Sequence, residues 1–189
     1  LSITHGQFGS IYASATLCSS LLLIWVGKKI DDVNIFKFAF FVTILLSFAC
    51  FFFSRVTSVF LLFIAIFLMR FSGQGMMSHT ASTTISRYFT KTRGRALSIS
   101  WFGLSSAEFI MPVLMVYLLT IIDWQNLWLI FSISVLIILP IVSFLLIKNL
   151  NLDSREANDE NIKHVEIKQW RRRDVLKDYR FYIISSNML

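Results

Sequence analysis

The stretch from Val59 to Phe89, VFLLFIAIFLMRFSGQGMMSHTASTTISRYF, restricts the fold more than any other part of the chain. It opens with an unbroken apolar run to Met69. A single charge follows, Arg70, and then Gly73, Gln74 and Gly75. Read as one helix at ~1.5 Å rise per residue, it puts Arg70 on the order of 16 Å from Val59, near the midplane of a ~30 Å hydrocarbon layer. A cation at that depth costs about 2.5–3.5 kcal/mol on insertion scales, so it requires a partner or a wet cavity.

The pattern recurs along the chain. Apolar spans are expected at about residues 8–26, 35–53, 59–88, 96–119 and 127–147, followed by a polar loop over 148–180 and the start of a further span at 181–189. Hydrophobic residues make up 56% of the chain and charged ones only 15%, with a mean hydropathy of +0.67, which excludes a soluble domain. Backbone polar groups in lipid must be satisfied inside helices or closed barrels, and runs that are continuous rather than alternating favour helices. The expected fold class is therefore an all-α polytopic membrane protein. The chain starts at Leu1 without a signal-peptide pattern and stops inside the apolar run FYIISSNML, so it reads as a piece of something longer.

A net charge of +7 invites a nucleic-acid reading, but the bases flank the spans, and orientation explains them better. Lys28, Lys29 and Lys37, then Arg87, Lys91, Arg93 and Arg95, then the bases from Lys148 to Arg180 fall on one side, and only Arg55 on the other. The basic side is expected to be cytoplasmic, in the plasma membrane of the cell, with the lipid bilayer as the chain's main partner and no nucleic acid. Cys18 and Cys50 lie in apolar spans without metal-ligand spacing and read as small packing residues.

The individual spans differ. The first is rich in Gly, Ser and Ala, which lets membrane helices approach closely; within it Tyr12 and Gln7 could face a cavity or anchor at the interface. The second, almost pure Phe, Leu and Ile, is expected to face lipid. Pro140 can kink the fifth, and Val165 to Tyr179 could form a surface amphipathic helix. Trp25, Trp124, Trp128 and Trp170, near span ends, suit interfacial anchoring, while Trp101 lies a little deeper.

Glu108 is the other deep charge. It lies about 12 residues into the fourth span, on the order of 18 Å, which brings it within roughly 5 Å of the depth of Arg70 on the next, antiparallel helix. Two readings are open. One is a structural ion pair. The other is a solute site in which Arg70 attracts an anion while Glu108 competes for Arg70 or carries a proton. Gln74 and Ser105, each one turn from its charged neighbour, could add hydrogen bonds. His79, at 100° per residue, falls on the face opposite Arg70 and is expected to be a hydrogen-bonded packing residue. Gly73 and Gly75 are read as permitting close helix contact. No hydrolase, zinc or phosphate-loop motif is present, and no enzyme, cofactor or metal is expected.

With these residues in place, the chain resembles a major facilitator superfamily transporter. Gly27 and Asp31 of GKKIDDVN match the family's loop between helices two and three. Asp32 stands there where a base is usual, Asn34 (able to adopt φ > 0) replaces a second glycine, and Lys37 is the one trailing base. Arg70 to Gly75 resembles the helix-four motif. RGRAL from Arg93, Gly103 and the Glu108 to Pro112 segment resemble helix five of the oxalate/formate-antiporter and monocarboxylate-type branches.

The resemblance implies helices two to six of the amino-terminal six-helix bundle of a twelve-helix transporter, the central loop, and the start of helix seven. It implies two halves rocking about a central site, with a carboxy-terminal half as partner. A small organic anion such as a mono- or dicarboxylate, with protons, is the expected cargo. Arg70, Gln74, Glu108 and Ser105 are the expected binding or coupling residues, and Gly27, Asp31 and Arg95 the gating loop, Asp31 pairing with Arg87 or Arg95. A non-transporting receptor or scaffold on the same fold is the competing class.

Overall fold

The computed structural model describes residues 3–27, 30, 33–89 and 92–149, all within one unit of the chain, Leu1–Asn151. Asp31, the polar loop beyond Asn149, its amphipathic stretch and the final apolar run lie outside the described residues. The elements are α1 (His5–Val26), α2 (Ile35–Ser54), α3 (Val59–Met69), a π-helical segment (Arg70–Met77), α4 (Ser78–Tyr88), α5 (Arg93–Leu119) and α6 (Trp124–Asn149), with no strand among the described residues. The α3, π and α4 segments run on as one rod. Five helical stretches are long and apolar enough to cross a membrane: His5–Val26, Ile35–Ser54, Val59–Ser86, Arg93–Leu119 and Trp124–Ser143.

Side-chain caps set the starts of the first three helices. Thr4 and Gln7 form a reciprocal capping box: the Gln7 backbone N–H donates to Thr4 Oγ1 at 3.3 Å and the Thr4 N–H to Gln7 Oε1 at 3.0 Å. That role takes Gln7 out of the candidate cavity residues. Asn34 accepts from the Phe36 N–H at 2.9 Å and caps α2 with φ −56°. It works through its side-chain oxygen, not through the left-handed conformation open to it. Ser58 caps α3 by accepting from the Leu61 N–H.

The second span has two faces: Phe40, Phe41, Phe48 and Phe51 are exposed on one, and the other is packed against the bundle. α2 packs against α3, the π segment, α4 and α6, and buries Phe38, Val42, Thr43, Ser47, Ala49, Cys50 and Ser54. Thr43, Ser47, Cys50 and Ser54 recur at helical spacing and let neighbouring backbones close in. At the α6 contact two serines clasp reciprocally: Ser47 Oγ donates to the Ser132 carbonyl at 2.9 Å, and Ser132 Oγ to the Ser47 carbonyl at 2.8 Å. Phe53 adds an aromatic contact at the end of this seam, its ring 4.6 Å from that of Trp128 and edge-on to Trp124. These two tryptophans therefore pack helix against helix, beyond any anchoring role.

Two apolar clusters flank the Arg70 level. Ala15, Val56, Leu62, Ala65 and Ile66 form one, around α1 and α3. Ile30, Phe38, Val42, Phe71 and Met76 form the other, around α2 and the π segment. α5 stands apart from both: it has no buried residue and packs on α4 and α6.

Candidate functional site

The third span, expected as an uninterrupted α-helix, widens into π geometry over RFSGQGMM. Its backbone bonds there reach i→i+5, a form that occurs mostly as single bulges and often at functional sites. The local sequence allows it. Gly73 and Gly75 weaken the α-helical preference by about 1 kcal/mol each, and both are held by neighbours. A Cβ on Gly73 would meet Leu46 Cδ1 of α2 at 3.3 Å, and one on Gly75 would meet Leu23 Cδ2 of α1 at 3.3 Å. Hydroxyls bond back to carbonyls on either flank, Ser72 Oγ to Leu68 and Thr80 Oγ1 to Met76, each at 2.7 Å. α1 and α2 thus clasp the widened turn through its glycines.

Arg70 is the first residue of that turn and is half-buried. Its Nη1 donates to Gln74 Oε1, across one turn. Its guanidinium Cζ lies 4.3 Å from the centre of the Tyr12 ring, within the range of a cation–π contact. Tyr12 in turn stacks with Phe8, one turn earlier on α1, at 6.3 Å between ring centres. Together with Phe53, Ile66 and Met69, these residues line a cavity of about 360 Å³. The wall is apolar and aromatic apart from one cation, one amide and the hydroxyl of Tyr12.

The expected site residues fall into separate places. Arg70 and Gln74 come together as their spacing implies. Glu108 and Ser105 lie on α5, both exposed, and among the described residues no hydrogen bond or ion pair reaches Glu108. Arg70 is thus satisfied by neutral partners, an amide and a ring, and not by that carboxylate. Arg95 is exposed in the first turn of α5. Gly27 ends α1, and its carbonyl accepts from His79 Nε2 at 3.1 Å, which makes Nε2 the protonated ring nitrogen. His79 is therefore a hydrogen-bonded tether between α1 and α4, away from the Arg70 cavity. Trp101, on exposed α5, lines neither this cavity nor a buried contact.

From the sequence alone Tyr12 is open to two roles, and neither Phe8 nor Phe53 stands out for the site. The four-residue step from Phe8 to Tyr12 was the available signal, since it puts both rings on one face of α1. Among the described residues no cluster of His, Cys, Asp and Glu could hold a metal ion.

A chain with five membrane-length apolar helices, packed through small residues and carrying a half-buried cation in mid-span, is an integral membrane protein that crosses the bilayer several times. Neither the curated proteins nor the solved structures give a match to it. The family model of the Major Facilitator Superfamily matches residues 1–188, and the chain belongs to that family of membrane transporters. Members of this superfamily are typically transporters rather than enzymes.

Proposed function

We propose that the protein is a secondary active transporter of a small organic anion, working by alternating access, with Arg70 as the anion's counter-charge. One observation carries this reading: Arg70 stands on a cavity wall, in mid-span, with neutral partners alone among the described residues. An intramembrane cation whose charge no carboxylate neutralises attracts an anion, and membrane proteins keep such costly charges where solutes or ions pass. Gln74 supports the role by fixing the guanidinium from one turn below.

Glu108 is the coupling group in this proposal. It is the one carboxylate within the five spans, and intramembrane carboxylates face a bundle interior or a wet cavity, where they exchange protons. The motifs RFSGQG, RGRAL and Glu108 to Pro112 favour an oxalate/formate- or monocarboxylate-type branch. Gly27, Asp31 and Arg95 are the proposed gating loop, on a cytoplasmic side of the plasma membrane set by the excess of basic residues there.

The test is uptake of labelled mono- and dicarboxylates by the intact protein in proteoliposomes. Arg70→Ala is expected to abolish uptake while expression and folding persist, and Glu108→Gln to remove the stimulation of uptake by a proton gradient. Wild-type uptake by Arg70→Ala refutes the counter-charge role. Absence of solute counterflow in the wild-type protein points instead to a receptor or scaffold on this fold.

A further inference from the structure

Resting on the reading of Arg70 as the anion's counter-charge, we infer that the anion is an aromatic monocarboxylate: one carboxylate on an apolar ring. Gln74 spends its carbonyl oxygen on Arg70, which leaves its NH₂ group as a donor beside the remaining guanidinium N–H groups. The cavity rim thus offers neighbouring donors from Arg70 and Gln74. That set matches a single carboxylate, which when ionised only accepts.

The rest of the wall sets the body of the ligand. Phe8, Phe53, Ile66 and Met69 contribute rings, branched carbon and a thioether, and Tyr12 presents its face to the guanidinium. A second carboxylate reaching into this wall would be desolvated against Phe53 or Ile66 without a cation to meet it, which strongly disfavours it. A flat ring there gains offset or edge contacts with Phe8 and Phe53 and a sulfur contact with Met69. About 360 Å³ is at the lower end of the roughly 300–1,000 Å³ found for small-molecule pockets, suited to one ring and its carboxylate.

The experiment is equilibrium binding of labelled benzoate to the intact protein in proteoliposomes, with unlabelled benzoate, succinate, formate and benzyl alcohol as competitors. Benzoate is expected to bind at least tenfold more tightly than each of the other three. Phe53→Leu and Phe8→Leu are expected to weaken benzoate at least threefold, and more than they weaken formate. If succinate or formate competes as well as benzoate, and Arg70→Ala abolishes that binding, the anion reading stands and the aromatic assignment falls. If benzoate binding survives Arg70→Ala undiminished, or benzyl alcohol competes equally, the counter-charge reading itself falls. The wild-type competitor series decides the matter even where a variant fails to fold.

Discussion

The contact between Arg70 and Tyr12 can be measured by removing each partner and then both. Arg70 in mid-span costs about 2.5–3.5 kcal/mol on insertion scales. Against this stands the ring of Tyr12, 4.3 Å from Cζ. For a half-buried guanidinium that contact is worth about 1–2 kcal/mol. The hydrogen bond to Gln74 adds about 1 kcal/mol, a typical value for polar contacts within membranes. The terms nearly cancel, so Arg70→Met is expected to change unfolding free energy by no more than about 1.5 kcal/mol.

Tyr12→Leu should lose the ring contact, and Tyr12→Phe should keep it. The assay is reversible unfolding of the intact protein in mixed micelles for wild type, Tyr12→Leu, Arg70→Met and the double variant. The expected coupling is about 1–2 kcal/mol. A coupling below about 0.3–0.5 kcal/mol, the usual scatter of independent sites, refutes the contact. Equal losses in Tyr12→Phe and Tyr12→Leu would assign the effect to the hydroxyl instead.

Two further predictions concern the helix clasps. Ser47→Ala and Ser132→Ala each remove one donor while both helix carbonyls keep their backbone partners, so each single variant should lose about 0.5–1.5 kcal/mol. Because the two hydroxyls also lie 3.1 Å apart, the losses should be non-additive in the double variant, as read by the same unfolding assay. Gly75→Val must push Leu23 aside, since even a Cβ would sit 3.3 Å from its methyl. The expected loss is about 1–3 kcal/mol, partly restored by Leu23→Ala; failure of that rescue would place the strain elsewhere.

The sequence makes the site's first pair legible for a simple reason. Arg70 and Gln74 are four residues apart, and one turn of either an α- or a π-helix brings them to one face. The all-helical membrane fold follows as directly, because apolar runs of this length have few alternatives. The π segment was not legible: two glycines permit a wide turn, but Leu46 and Leu23, from other helices, hold it. The centrality of α2 was obscured by its many phenylalanines, which serve lipid and protein contacts alike. Its stripe of Thr43, Ser47, Cys50 and Ser54 was the informative part. The role of Tyr12 is not readable from the sequence, because a single helix does not say which neighbour its face meets. Arg70 and Glu108 share a depth in the sequence, but depth says nothing about azimuth; the structure satisfies Arg70 from α1 and its own turn.

The widened turn also keeps two contacts in phase. At the turn's first residue α1 meets the rod through Tyr12 and Arg70, and beyond the turn's end through Gly27 and His79. Each residue of an α-helix advances the azimuth by about 100°, more than a residue of the wider π turn does, so plain α geometry over 70–77 at unchanged length would swing His79 out of line with Gly27 while Arg70 stayed on Tyr12. The same rod therefore carries two angular settings, one for the cavity and one for the Gly27 end of α1, and the π turn is the offset between them.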